Sequence, residues 1–327
     1  MSHQTILIIG AGMSGLAAAS QLRADGYPVA LIDKGRGIGG RVATRRLGEV
    51  RLDHGAQFFT ARDPWFKAKA ADWQAAEAVT LWYDHALRNG TMTPVDPHYR
   101  GRDGMSRIAK CLAKGLTVKT SHRAISVSRR QRQWQVELEN QTVETADTLI
   151  MTAPVPQCLA LLDAGNVSLP EDTRHLLQGV KYARSLVLLA LLKGPSGLSA
   201  PGFIDRPTES IQWITDNQLK GIAKHPALTV HSTPAFAERY FDADPAVWQG
   251  LLMQELKPLI QSEPGEVLTH RWGFAYPLET APGPCLWLPD MQLGLAGDGF
   301  TEGRVESAAL SGYHLARLIH ETLRIKP

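Results

Sequence analysis

The chain begins with a short apolar run, Ile6-Leu7-Ile8-Ile9 after Thr5, that stops at Gly10. A small-residue stretch with helical character covers residues 16–22, and a second apolar run, Val29-Ala30-Leu31-Ile32, ends at Asp33. Strand, glycine turn, helix and strand together predict a β-α-β unit with a parallel sheet. Further along, residues 104–113 carry Ile108, Ala109, Leu112 and Ala113 at helical spacing. Between residues 117 and 143 the period shortens to two, which predicts a β-meander with Arg129-Arg130-Gln131-Arg132 as a hairpin turn. An apolar strand over residues 146–151 ends at Thr152-Ala153-Pro154 and returns the chain to the first sheet. A last strand over 291–298 ends in Gly297-Asp298, and a helix begins near Arg304 and Val305.

The segments between follow a different pattern. Residues 61–103 place Trp65, Trp73 and Trp82 on a helical stretch ahead of a Pro/Gly-rich segment, and those tryptophans read as core. Residues 160–284 form a separate unit. Its strands are predicted at 186–192, 210–213 and 228–232, its helices at 234–241 and 246–260, and an aromatic-rich stretch at 271–276. The fold class is α/β, a Rossmann-like domain with a second α+β domain. The discontinuous first domain comprises 1–62, 104–160 and 285–327, and the second comprises 63–103 and 161–284.

The opening motif carries specific chemistry. Gly10-Ala11-Gly12-Met13-Ser14-Gly15 follows a strand and opens a helix, and Asp33 lies 23 residues beyond Gly10. Gly10 permits the turn, Gly12 lets a pyrophosphate approach, and Gly15 lets helix and strand pack closely. The helix N-terminus faces the phosphates, and Asp33 can accept from an adenosine ribose. The motif alone does not separate NAD from FAD. The next residues do: Lys34 leads to a second glycine loop, Gly39-Gly40-Arg41, which an extended flavin dinucleotide needs and an NAD domain does not. The planar cationic fork of Arg41 suits a pyrophosphate or flavin contact. Arg45 and Arg46 read as a solvated basic loop. Asp298 is placed to bind a hydroxyl of the ligand chain, and the helix from Arg304 and Val305 to stabilise charge on a reduced flavin.

Composition narrows the rest. A charged content of 20%, a net charge of +3 and a pI of about 8.7 describe an ordinary soluble chain with a mild basic excess. That excess favours anionic small ligands over nucleic acid. Cys111, Cys158 and Cys285 are widely spaced and odd in number, so neither a disulfide framework nor a metal site is expected. Met1-Ser2-His3-Gln4 lacks signal-peptide features, and no apolar run suits a membrane span. The expectation is a reducing cytoplasmic location without a membrane partner.

These segments resemble the flavin-containing amine oxidase superfamily, and several local phrases resemble its renalase-type branch. The phrases are Asp53-His54-Gly55-Ala56-Gln57-Phe58-Phe59-Thr60, Arg271-Trp272-Gly273-Phe274-Ala275-Tyr276-Pro277, and Ala296-Gly297-Asp298 through Arg304-Val305-Glu306-Ser307-Ala308. The resemblance implies an architecture like that of amine oxidases and p-hydroxybenzoate hydroxylase. It implies FAD contacts from residues 10–15, Asp33, Lys34, Gly40, Arg41 and Asp298, with the Ala124 backbone at the adenine. Gly55, Ala56, Gln57, Phe58 and the Thr152-Ala153-Pro154 loop would border the flavin. The implied activity is oxidation of 2- and 6-dihydro isomers of NAD(P)H, with hydride to flavin N5 and O₂ reduced to H₂O₂. Cys285 stands only 13 residues before Asp298, unlike the upstream cysteine to which some amine oxidases attach flavin, so FAD is expected to be non-covalent. The lysine many amine oxidases place near N5 has no clear counterpart at 271–277, which leaves open a lysine from elsewhere in the chain.

The chain shows no triad, metal cluster or paired carboxylates, which suits a hydride donor needing little acid–base machinery. Phe58, Phe59, Trp272 and Tyr276 are candidates to frame a flat pocket together with Gln57, while Arg271 or His231 would meet a carboxamide or phosphate. Core packing is an equal alternative for each. The competing functions are an amine oxidase and a flavin- or NAD(P)-binding sensor without turnover. The expected partners are a nicotinamide dinucleotide and O₂.

Overall fold

The computed structural model describes residues 4–88 and 91–325 of the chain. The reading of Met1-Ser2-His3 lies outside the described residues, as do Asn89 and Gly90 of the Pro/Gly-rich segment.

A six-stranded sheet centres the first unit. Its strands are β1 (Ile6–Ile9), β2 (Val29–Ile32), β7 (Thr117–Lys119), β11 (Thr148–Met151), β17 (Leu286–Leu288) and β18 (Leu293–Leu295), in the order β17-β18-β11-β1-β2-β7. All pairs are parallel except β17 with β18. β1 and β11 are buried at every position. Such strands read as unbroken apolar runs because both faces are covered. One face carries Ile6, Ile8 and Ile150 onto α1 (Met13–Ala24) and α8 (Val305–Ile325). The other carries Leu7, Ile9, Leu149 and Met151 onto α4 (Val155–Ala164) and a three-stranded meander of β8 (Ala124–Arg130), β9 (Gln133–Leu138) and β10 (Val143–Ala146). α5 (Glu171–Gln178) follows α4, and α3 (Ser106–Leu112) packs beside α1. The helices α1 and α8 cross with no room between them: a Cβ on Gly312 would lie 1.9 Å from the Ser14 carbonyl oxygen.

The second unit is a five-stranded antiparallel sheet in the order β13-β14-β15-β12-β16. The strands are β12 (Lys181–Leu192), β13 (Phe203–Asp205), β14 (Ile211–Asp216), β15 (Ala227–Ser232) and β16 (Pro264–Glu279). α6 (Pro234–Tyr240) and α7 (Pro245–Leu256) cover one face, setting Trp248, Leu252 and Leu256 against Leu186, Leu188 and Val230. The other face turns toward the first unit, where the hairpin β3 (Thr44–Leu47) and β4 (Val50–Asp53) packs Val50 and Leu52 on Val187 and Leu189. Three helices share one start signal. Asp63 before α2 (Pro64–Ala75), Thr233 before α6 and Asp244 before α7 each accept a backbone N–H of the first turn, with proline next in sequence.

Three expectations change. Residues 117–119 pair with β2 at the edge of the parallel sheet and take no part in the meander, which starts at Ala124. Trp82 lies on a strand: α2 stops at Ala75, Glu77 turns with φ 51°, and β5 (Val79–Arg88) pairs with β6 (Thr91–Gly101). The helix expected to reach residue 260 ends at Leu256 in a 3₁₀ turn, because Pro258 has no N–H to continue it. The basic hairpin turn forms as read, with Gln131 and Arg132 at φ 47° and 74°.

Candidate functional site

The glycine motif forms the mouth of a cofactor cradle. Gly10 turns out of β1 with φ 109°, and a Cβ on Gly15 would stand 2.0 Å from the Gly10 carbonyl oxygen. A Cβ on Gly12 would meet nothing within 4 Å, so the loop faces open space at that point. Gly12 caps α1 without a side-chain hydrogen bond, the first turn holds no acid, and the Ser14 hydroxyl is buried without a partner. Free helix N–H groups, a bare glycine and an unpartnered hydroxyl fit a pyrophosphate.

Asp33 ties the loop together from the end of β2. One carboxylate oxygen accepts from Ala11 N–H at 2.7 Å and the other from Gly35 N–H at 2.6 Å. Its backbone joins Lys119 and His122, which delivers Ala124 two residues further on. Lys34 donates to Gln157 Oε1 at 3.1 Å. A hydroxyl pair of ribose competes well for such a carboxylate, and Asp33→Ala should weaken FAD binding by about 10- to 100-fold, on the order of 1.5–3 kcal/mol. Titrating FAD into the stripped variant measures this; an unchanged dissociation constant would remove Asp33 from that role.

The second glycine loop and the C-terminal turn meet. Gly12 and Gly39 form a parallel bridge, and a Cβ on Gly40 would come 3.6 Å from the Gly12 Cα. Arg41 then reaches Asp298 through two hydrogen bonds of 2.5 and 2.7 Å and also donates to the Phe274 carbonyl at 3.2 Å. The Tyr182 hydroxyl donates to Asp298 at 3.4 Å. Gly297 donates to the Ser311 hydroxyl at 2.8 Å, and Thr152 donates to the carbonyls of Ile9 and Gly10, so Thr152-Ala153-Pro154 stands between β1 and Gly297. At the start of α8, Arg304 donates to Thr60 and Glu306, and Val305 begins the helix. The residues assigned to FAD from sequence thus line one continuous path.

The substrate-side candidates divide. Residues 57–59 point three ways. Gln57 is buried and donates to the carbonyls of Asp53 at 2.7 Å and Gly55 at 3.0 Å. Phe58 joins Trp82, Tyr83, His98 and Phe203 in a half-buried aromatic cluster. Phe59 does not reach the pocket: it is 2% exposed and packs on Phe66, Trp73 and Tyr99. Gly55 abuts the Arg41 carbonyl, and Ala56 N–H donates to it at 2.8 Å.

On the sheet, Trp213, His231, Val187 and His270 lie in register across β14, β15, β12 and β16. His54 sits over them, edge-on to His270 at 4.8 Å and stacked on Trp272 at 5.4 Å. Its carbonyl accepts from Trp272 Nε1 at 2.7 Å and lies 3.2 Å from His231 Nε2. Burial pushes His54 and His231 down to about 3, helped by neighbouring rings, by Arg45 at His54 and by Lys220 at His231. His270 is lowered by burial and Arg45. This floor is therefore uncharged at neutral pH. Arg271 is absent from it. As the residue between His270 and Trp272 it points to the opposite face, exposed, where it lies over Trp248 and donates to the Ala243 carbonyl at 2.5 Å. Tyr276 lies beside Gly303, next to the Arg41–Asp298 pair.

One residue escaped the sequence reading. Lys220, in the loop after β14, is fully enclosed and donates to Asp53 Oδ2 at 2.7 Å and to Gln57 Oε1 at 3.4 Å. No local motif marks it.

Comparison with known proteins agrees with this geometry. An NAD(P)-binding Rossmann-like domain matches residues 8–72, and the flavin containing amine oxidoreductase family matches residues 62–320. Renalase of Mus musculus is 24% identical over 96% of this chain and 98% of its own length. A protein described as a putative protoporphyrinogen oxidase from Exiguobacterium superposes with a TM-score of 0.75 at 15% identity, covering 98% of this chain and all of the other. Putrescine oxidase bound to putrescine gives a TM-score of 0.72 at 15% identity, covering 97% and 99%. The family match takes in most of the chain and both units of the fold, and on it the chain belongs to the flavin-containing amine oxidoreductases, with FAD as its cofactor.

Proposed function

We propose that the chain oxidises 2- and 6-dihydro isomers of NAD(P)H, with O₂ as the final acceptor. The observation that carries this reading is the uncharged aromatic floor of His54, His231, His270, Trp213 and Trp272. A dihydropyridine is flat and neutral and regains aromaticity on losing hydride, so it needs a surface that orients it and excludes water more than it needs a base. FAD, when bound, accepts the hydride at N5 and returns the electrons to O₂ as H₂O₂. The chain's own groups do the placing. His231 Nδ1, Trp213 Nε1 and Ser185 Oγ are buried without hydrogen-bond partners, which suits a carboxamide. The likeness to mouse renalase over nearly the whole chain supports the same reading.

Amine oxidation is the second reading. Lys220 favours it, since a buried lysine does reach the site, as does the likeness to putrescine oxidase. Anaerobic mixing separates the two. The dihydro isomers should bleach the flavin faster than putrescine or any simple amine, and faster than ordinary NADH, whose hydride sits at another ring carbon. Readmitted O₂ should release H₂O₂, and acid should free intact FAD from the polypeptide. Bleaching by an amine but by neither isomer would move the assignment to amine oxidation.

A further inference from the structure

Lys220 comes from the second unit and ends inside the first. Its ammonium has three neighbours: the Asp53 carboxylate at 2.7 Å, Gln57 Oε1 at 3.4 Å and the Trp82 ring at 5.4 Å. Asp53 is saturated as well. Its other oxygen accepts from the Thr44 hydroxyl at 2.6 Å and the Met105 N–H at 2.8 Å. Gln57 has one orientation under these constraints. Its amide NH₂ serves two backbone carbonyls, so its oxygen must face Lys220. Flipping the amide would set two carbonyls against an oxygen and an ammonium against an NH₂. The loop carrying Gln57 continues directly into Phe58 and the aromatic cluster, and through Gly55 and Ala56 it touches Arg41.

We propose that Lys220 is a positioning residue for the reaction: its ammonium fixes the Gln57 amide and the 53–58 loop in the orientation that borders the flavin. The proposal rests on the reading that Gln57 and Phe58 line the flavin edge. It gives this buried lysine a role that requires no proton transfer.

The test uses the holoenzyme. Lys220→Met alone leaves a buried carboxylate unpaired, so it is paired with Lys220→Met/Asp53→Asn, which removes both charges and keeps the hydrogen-bonding shape at Asp53. The double variant should fold and retain FAD, while the visible spectrum of the bound flavin shifts. Flavin bleaching at saturating substrate should slow by about tenfold or more, with a much smaller change in the half-saturating concentration. Adding Gln57→Ala to the double variant should cost little beyond what the double variant has lost, because Lys220 acts through Gln57. A folded double variant with the parental spectrum and rate would overturn the proposal, as would an undiminished effect of Gln57→Ala in that background. If neither dihydropyridines nor amines bleach the parent, the substrate assignment fails, yet the spectral arm and light-driven reduction of the flavin still report on Lys220.

Discussion

Replacing Asp53 with alanine is expected to destabilise the fold by about 3–5 kcal/mol, the range for breaking one side of a buried ion pair. The carboxylate is wholly enclosed and collects Lys220, Thr44 and the Met105 N–H at once. Without it the ammonium keeps only Gln57 and an aromatic face. For a chain of this size the melting temperature should fall by on the order of 5–10 °C. The deficit should also depend on pH in a definite sense. Burial already holds Lys220 below the ordinary lysine value of 10.5, against the pull of Asp53, and removing Asp53 lowers it further. Between that lowered value and 10.5 the unfolded chain holds a proton that the folded variant does not, so the variant gains stability as pH rises. Urea titrations at pH 7 and pH 9.5 should show the gap to the parent closing. A small deficit, constant over that range, would mean that the pair does not hold the two units together.

The histidine floor makes the protein sensitive to acid. His54 and His231 titrate at about 3 when folded and near 6.5 when unfolded. Their contribution is complete above pH 6.5 and is lost progressively as pH falls toward 3, since the unfolded chain takes up protons that the native floor refuses. Each ring contributes a slope of about 1.4 kcal/mol per pH unit in that window. Two rings imply a loss on the order of 2–4 kcal/mol between pH 7 and pH 5. His270 adds to it in the same direction. Asp147, the carboxylate lowered by its bonds to Thr5, titrates below this range and does not obscure it. His231→Gln should reduce the slope by about half. Denaturation midpoints that stay level from pH 7 to pH 5 would contradict a neutral, buried floor.

The cofactor path was legible because its signals are local. Gly10 to Asp33 is a single β-α-β unit whose glycines and acid act within one supersecondary element, and Gly297-Asp298 closes a strand in the same way. The substrate side depends on long-range pairing. Lys220 and Asp53 are 167 residues apart, and a lone lysine in a polar loop carries no mark of burial. Arg271 was misread for the same reason. It sits in an aromatic stretch, but strand alternation turns it away from both of its neighbours. Phe59 and Phe58 are adjacent and equally aromatic, and only the pairing of Phe59 with Tyr99 decides which becomes core. Trp82 was drawn into a helix because three tryptophans in one stretch resemble a helical stripe, whereas the hairpin partner that makes it a strand residue is a separate segment.

The Arg41–Asp298 pair and the crossing of α1 with α8 join positions nearly 260 and 300 residues apart. On the ribosome, the glycine loop emerges long before the turn and helix that complete its cradle. The nascent chain therefore cannot acquire its flavin during most of synthesis, and β1, whose neighbour β11 arrives late, waits with an open edge. Loading belongs to the released or nearly finished polypeptide. A chain interrupted before β18 lacks Asp298 and α8 and should leave translation colourless and open to proteolysis, even though its dinucleotide motif is intact.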